Sequence, residues 1–313
     1  MVDLALPARA GRGRGHESPR PRRRTRREGF FRILPLGPAV ALLTVFLAGP
    51  IVWSLYGSLT NTALTGYKAA NPQFIGLENY INLLSSHDFW KSVWLTVLFV
   101  FASAVIGQNV LGMFLALLMR SAAKPMRSIV GGLVVCAWVL PEIVAAFALY
   151  AFFSTDGTLN TMLGWFGVAN TTWLITFPMF AVIMANIWRG TAFSMMVYNA
   201  ALAEVPPEIT EAAEIDGAGM FQRFFLITLP MIRRSISTNL MLTTLQTLGV
   251  FTLIWVMTGG GPGTNSSTLP VLAYQEAFKF SQVGYGTAIA TVTLLIGAIF
   301  SIVYIKALKP EVD

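Results

Sequence analysis

The sequence Glu204-Val-Pro-Pro-Glu-Ile-Thr-Glu-Ala-Ala-Glu-Ile-Asp-Gly-Ala-Gly219 lies between two long apolar segments and predicts a short, isolated helix. Pro206 and Pro207 suit the start of this helix, because their missing N–H groups are no loss in a first turn. The acidic residues that follow are favourable near the positive end of the helix dipole. Gly217 and Gly219 permit a left-handed stop. The stretch therefore predicts about three turns of helix, bounded by proline at one end and glycine at the other.

This predicted helix has small side chains at its centre, Ala212 and Ala213, where another protein chain can approach closely. A short helix depends on the packing of an apolar face for its stability, and this one has little apolar surface. After it, Phe221–Pro230 returns toward the next apolar segment as an amphipathic stretch. The pattern indicates a helix that needs a partner.

The chain around this loop is strongly apolar. Of its 313 residues, 55% are hydrophobic and only 12% are charged, whereas a soluble protein carries about 25% charged residues. The composition excludes a soluble domain and predicts a multi-pass protein of the cell membrane. The single cysteine, Cys136, excludes an internal disulfide and is expected to be a small buried residue within an apolar run.

Six stretches are long enough to cross a membrane, since a spanning helix needs about 20 mainly apolar residues. Helices satisfy their backbone hydrogen bonds internally in lipid, so the predicted fold is an all-α bundle of six transmembrane helices. The predicted spans are Leu34–Leu59, Val93–Met119, Ile129–Phe153, Trp173–Ala203, Ile236–Thr258 and Gly284–Leu308.

Lysine and arginine are unevenly divided between the two sides of the predicted bundle. Nineteen of the 22 lie on the amino-terminal side, and the opposite connections hold only Lys68, Lys91 and Lys279. Because positive charge is enriched in cytoplasmic loops, the N and C termini are both predicted to be cytoplasmic.

Three regions follow from this arrangement. Residues 1–33 are expected to form a basic, disordered cytoplasmic leader in contact with anionic membrane lipid. Residues 34–308 form the six-helix domain, which includes the loop 204–230, and residues 309–313 form a C-terminal tail.

The loop resembles the EAA motif of ABC importer permeases. Its anchors are present at the spacing of that motif, and they are Glu211-Ala-Ala213, Gly217, Ile227 and Leu229-Pro230. Two external segments, Phe74–Tyr80 and Thr258–Gly263, are similar to those of permeases in sugar and glycerol-phosphate importers. The resemblance implies the type I ABC importer permease fold.

The resemblance also implies partners. Such a permease pairs with a second, homologous permease subunit, two ATPase subunits lie beneath them, and an extracytoplasmic solute-binding protein delivers a small-molecule solute. ATP and Mg are expected on the ATPase, because this chain has no phosphate-binding loop with a lysine after its glycines. No cofactor, metal or nucleic acid is expected on this chain. The residues implied to couple it to the ATPase are Glu211, Ala212, Ala213, Asp216 and Gly217.

A polar stripe on the fifth span offers a candidate solute pathway. Helical spacing places its members on one side of the helix, and they are Asn239, Thr243, Gln246 and Thr247. Polar side chains at membrane depth often mark a pathway, but they also form hydrogen bonds between helices. The sequence leaves both interpretations open.

Two charged residues fall within predicted spans. Arg189 lies 16 residues after Trp173, which places it roughly 24 Å along the fourth span. It either extends to the cytoplasmic headgroups, pairs with an acid such as Glu142, or faces a cavity. Glu142 follows Pro141 and is either protonated, paired or at a helix end.

The resemblance to permeases of the maltose type adds positions to this candidate pathway. It implies sugar contacts at Arg189, Gly190 and Phe193 in the fourth span and at Thr243, Gln246, Thr247 and Val250 in the fifth. Arg189 and Val250 differ in kind from the residues of that permease. The site is therefore implied more strongly than its solute.

The predicted function is transport without catalysis. The chain is expected to be a permease subunit that forms half of a pathway for a sugar or polyol phosphate and couples ATP hydrolysis on a separate subunit to uptake. One alternative is an ABC permease for amino acids or peptides, and another is a secondary carrier driven by an ion gradient. The predicted spans contain no nucleophile–base pair of an enzyme.

Overall fold

A computed structural model describes residues 36–307, and within that range the chain is helical, without β-strands apart from one bridge between Thr60 and Phe74. The all-α prediction is confirmed. The predicted leader, 1–33, and tail, 309–313, lie outside the described residues.

The first span is a helix of 22 residues, α1, Gly37–Ser58, close to the predicted Leu34–Leu59. The chain divides into two compact units within this helix, between Ile51 and Val52. Two short helices follow on the predicted external side, α2, Tyr67–Ala70, and α3, Glu78–Ser85.

The second span is the long helix α4, His87–Ser121, which has 35 residues and includes π-helical turns over Val100–Gln108. Ser86 caps its start by accepting a hydrogen bond from the N–H of Phe89 at 3.4 Å. At 1.5 Å per residue α4 is about 52 Å long, more than the hydrocarbon core of about 30 Å. The predicted span, Val93–Met119, is therefore confirmed as its central part.

The third span, predicted as one helix over Ile129–Phe153, is broken. The structure has α5, Lys124–Val139, and α6, Glu142–Phe153, and the chain bends by 107° between α5 and the helical segment that starts at Glu142. Leu140 has an extended conformation (φ −55°, ψ 136°), because a residue before proline avoids the helical region. Pro141 in turn has no N–H to give to a continuing helix.

The fourth span, α9, Pro178–Ala203, is a helix of 26 residues that follows two short helices, α7, Thr158–Gly164, and α8, Trp173–Thr176. Its predicted start at Trp173 is wrong. Phe177 leaves the helical conformation (φ −131°, ψ 53°), and Pro178 then begins a new helix at its favoured first position. Helix α9 contacts α4, α5, α6 and the fifth span, so it is central to the bundle.

The fifth span, predicted as one helix over Ile236–Thr258, is also broken. It consists of α12, Arg233–Leu248, and α13, Thr252–Thr258, with a bend of 49° between them. Between α9 and α12 lie α10, Pro207–Ile215, and α11, the consecutive helical turns of residues 220–231.

The sixth span is α15, Val283–Ala307, which confirms Gly284–Leu308 up to the last residue described. It is preceded by α14, the consecutive helical turns of residues 269–279. Within residues 36–307, four helices are each long and apolar enough to cross a membrane, and counting each bent pair as one span brings the number of candidate spans to six.

Candidate functional site

The short helix predicted between the fourth and fifth spans is present as α10. Pro206 precedes it with extended geometry (φ −60°, ψ 128°), and Pro207 occupies its first position. Glu208 lies in the first turn, next to the unpaired N–H groups of the helix start. The prolines therefore set the start of α10 as predicted.

The end of α10 is a Schellman motif built around one glycine. Gly217 has a φ of +83°, its N–H donates to the Glu214 carbonyl at 3.0 Å, and the Ala218 N–H donates to the Ala213 carbonyl at 2.9 Å. The prediction that Gly219 also provides a left-handed stop is wrong, since its φ is −66° and it caps the next helix. Gly217 alone ends α10.

Helix α10 has no buried residue. Glu211 and Ala212 are exposed, Ala213 is partly buried, and Ile215 is 87% exposed. Its contact with the neighbouring helix includes the ion pair between Glu214 and Arg223 of α11. The predicted coupling residues, with Asp216 and Gly217 at the helix end, thus lie on one small and accessible element.

The stripe on the fifth span is divided by the fold. Asn239, Thr243 and Thr247 are buried, whereas Gln246, at the edge of the stripe, is exposed. The Asn239 side-chain amide donates to Asn109 Oδ1 at 2.7 Å and to Ser194 Oγ at 2.9 Å. These three buried side chains lie among neighbouring helices of the same chain, and Val250 is buried as well.

The residues that complete this network lie on α4 and α9. The Asn186 side-chain amide donates to Ser103 Oγ at 2.7 Å and to Thr247 Oγ1 at 3.3 Å. The Tyr198 hydroxyl donates to Asn109 Oδ1. Sequence reasoning did not single out Asn109 or Tyr198. Both are polar residues within predicted membrane spans. Their position in an apolar segment is the signal that could have marked them as candidates.

Gly190 and Phe193 lie on consecutive turns of α9 but have different surroundings. A Cβ on Gly190 would lie 2.2 Å from Gln108 Cδ, so a larger residue here would displace the Gln108 side chain, which bonds to the Asn186 carbonyl. Phe193 stacks on Trp138 at the end of α5, with ring centroids 5.9 Å apart. Gly190 therefore belongs to a helix contact, and Phe193 to an aromatic pair.

Arg189 lies just before the middle of α9, roughly 16 Å from the start of the helix at Pro178. Its side chain is partly buried, and its Nε atom is buried without a hydrogen-bond partner. The ion pair with Glu142 does not form, since within residues 36–307 the structure has a salt bridge only between Arg223 and Glu214.

Glu142 is at a helix end, one of the alternatives that the sequence left open. It begins α6, and its Oε1 accepts a hydrogen bond from the N–H of Leu253 in the first turn of α13 at 3.3 Å. The first N–H groups of a helix have no partner within the helix, and lipid supplies none. Glu142 thus lies in the first turn of α6 and accepts a hydrogen bond from the first turn of α13. These are the two helices that begin where the third and fifth spans are broken.

Cys136 was expected to be buried, but it is exposed on the surface of this chain. An apolar run in a membrane protein faces lipid or a partner as readily as a core, which hydropathy does not distinguish.

A sequence profile for binding-protein-dependent transport system inner membrane components matches residues 108–312. This chain belongs to that family. The permease is 34% identical over 281 residues to the trehalose/maltose transport system permease protein MalF of Thermococcus litoralis, covering 89% of this chain and 92% of that protein. It is 33% identical over 285 residues to the sulfoquinovosyl glycerol transport system permease protein SmoG of Agrobacterium fabrum, covering 89% and 90%.

Solved structures show the same fold. The permease superposes with a TM-score of 0.77 and 21% identity on a chain of a bacterial ABC transporter involved in the import of the acidic polysaccharide alginate, covering 92% of this chain and 98% of that chain. A second alginate transporter structure, with a TM-score of 0.75 and 22% identity, was determined with an alginate-bound periplasmic protein and covers 89% of this chain and 93% of that chain. The permease is thus an inner membrane component with the type I importer fold.

Proposed function

We propose that the permease forms half of the pathway of an ATP-driven importer for a sugar or a polyol derivative such as a polyol phosphate. The observation that carries this proposal is α10, a proline- and glycine-bounded helix that has no buried residue and has the EAA residues at its centre. Relatives named for trehalose, maltose and sulfoquinovosyl glycerol transport support a carbohydrate solute.

In this proposal α10 docks on an ATPase subunit and transmits its movement to the membrane helices. Ala212 and Ala213 permit close approach, and Glu211 and Asp216 supply charge at the contact. The Schellman end at Gly217 fixes where α11 leaves α10. The ATPase subunits bind ATP and Mg, and a second permease and an extracytoplasmic solute-binding protein complete the importer.

The candidate solute residues are Arg189, Phe193 and Gln246. Gln246 is exposed, and Arg189 is partly buried and has no carboxylate partner within residues 36–307, so both side chains have hydrogen-bonding groups to offer, and Phe193 offers an aromatic face. Asn239, Thr243 and Thr247 bond to neighbouring helices, and Gly190 is covered by Gln108. We assign these four to holding the pathway walls in place.

Cross-linking in the assembled complex tests the docking surface. In a Cys136→Ala background, Ile215→Cys on α10 is expected to cross-link to a co-purified ATPase. Phe166→Cys is the matched control, because this side chain is 82% exposed and lies on the predicted external side. Absence of an ATPase from the purified complex, or equal cross-linking from both positions, would overturn the proposal.

A further inference from the structure

A cavity of about 450 Å³ lies between α10 and α11 on one side and the ends of α4 and α9 on the other. Arg120 in the last turn of α4 and Leu202 near the end of α9 line its membrane side. Thr210 of α10 lines the opposite side. This cavity, termed the basic cavity, lies where two candidate spans end, on the side of the chain that is predicted to be cytoplasmic.

Two guanidinium groups line the basic cavity. Arg120 Nη1 donates to the Leu202 carbonyl at 3.1 Å, and Arg223 pairs with Glu214, which lies outside the lining. Each guanidinium has five N–H donors, so these contacts leave donors for an anion. The residues that line the cavity include no carboxylate. The cavity is therefore complementary to a negatively charged group.

The remaining wall is aromatic and apolar, and it continues onto the surface of α11. Phe221 is 77% exposed, Met220 is 74% exposed and Phe225 is 55% exposed, and Phe224 lies between them. Basic and large apolar side chains on one short amphipathic helix are typical of segments that lie in the membrane interface. The apolar wall thus provides a surface for acyl chains beside the guanidinium groups.

We propose that the basic cavity binds an anionic phospholipid of the cytoplasmic leaflet. The phosphate contacts Arg120 and Arg223, and an acyl chain packs on Phe221 and Phe224. Basic pockets between membrane helices on the cytoplasmic side are suited to such headgroups. A bound lipid would connect α10 to the ends of α4 and α9, so that movement of α10 reaches both spans.

Native mass spectrometry of the purified complex tests lipid binding directly. The probe is phosphatidylglycerol, with phosphatidylcholine as the zwitterionic comparison. Wild-type protein is expected to retain phosphatidylglycerol, and Arg120→Gln and Arg223→Gln are each expected to weaken retention about fivefold, the factor that matches the loss of one basic residue at an anionic surface. Arg234→Gln is the matched control, because Arg234 is exposed on the same side and does not line the cavity.

Two outcomes would overturn the proposal. Equal retention of phosphatidylglycerol and phosphatidylcholine by the wild-type protein would show that the cavity does not select an anionic headgroup. Competition of the lipid signal by inorganic phosphate alone would indicate a phosphate site. Lipid retention is measured independently of transport, so its failure is distinguishable from failure of the proposed importer function.

Discussion

Replacement of Gly217 tests whether the end of α10 transmits force. Gly217 has a φ of +83°. A residue with a Cβ adopts this left-handed conformation at a cost of about 1–2 kcal/mol. An added Cβ would meet nothing within 4 Å, so the backbone conformation alone determines the penalty. A penalty of this size lowers the equilibrium constant between the Schellman end and other conformations of the loop by roughly five- to thirtyfold.

Solute uptake per ATP hydrolysed, measured in proteoliposomes with the assembled importer, is the appropriate assay. Gly217→Val is expected to lower this ratio by up to roughly the same factor of five to thirty, while membrane insertion is unchanged. Gly217→Asn is expected to fall between Val and wild type, because asparagine tolerates the left-handed conformation better than other residues with a Cβ.

Gly219→Val is the matched control two residues away. Gly219 has an extended conformation (φ −66°, ψ 165°), and a Cβ there would meet only Gln222 Oε1 at 3.8 Å. This variant is expected to transport as wild type does. Normal coupling in Gly217→Val, or equal losses in both variants, would refute the reasoning.

Three further predictions concern the membrane domain and its external side. Glu142→Leu leaves a first-turn N–H of α13 unpaired, which costs about 1–3 kcal/mol, so this variant should have a lower Tm in detergent. Glu142→Gln keeps an oxygen acceptor and should have a Tm close to that of the wild type. Equal losses of Tm in the two variants would exclude a hydrogen-bonding role. Gln246→Leu should impair solute uptake more than it lowers the yield of the purified complex, whereas Thr247→Val should lower the yield more than it impairs uptake. A loss of yield in both variants would show that Gln246 has a structural role. Burial and the charge of Asp88 raise the pKa of Glu276, so the folded state binds the proton of this carboxyl group more tightly than the unfolded chain does. Stability should therefore fall as the pH rises from the ordinary pKa of a glutamate through the raised one. Asp88→Asn should reduce that fall in thermal unfolding followed against pH, and an unchanged pH profile would contradict the assignment.

The sequence predicts α10 closely because the signals for its ends are local. Proline at 206 and 207 and glycine at 217 act through their own backbone conformations, and the structure places the helix between them. The left-handed conformation predicted for Gly219 was wrong because glycine also suits an extended N-cap. The sequence around a glycine does not indicate which of the two conformations it adopts.

The broken spans were missed because hydropathy measures composition and is insensitive to backbone direction. Pro141 is a local signal for a break in the third span, but the 107° bend and the contact of α6 with α13 belong to the tertiary structure. In the fifth span Gly249 gave the only local signal at the break. Neither break interrupts the apolar composition from which the spans were predicted.

The division of the polar stripe depends on contacts between distant parts of the chain. Helical spacing correctly grouped Asn239, Thr243 and Thr247, but their partners on α4 and α9, such as Asn109 and Asn186, are set by the tertiary fold. Likewise, the sequence could not indicate that Arg189 and Glu142 do not pair, or that the Glu142 carboxylate accepts a hydrogen bond at the start of α13.

The most direct test of the central claim is uptake by purified components in proteoliposomes. The importer function predicts that a labelled solute, identified from the binding protein, enters only when the ATPase, the second permease, the binding protein and ATP are all present. Uptake by this chain alone, driven by an ion gradient without nucleotide hydrolysis, would contradict it.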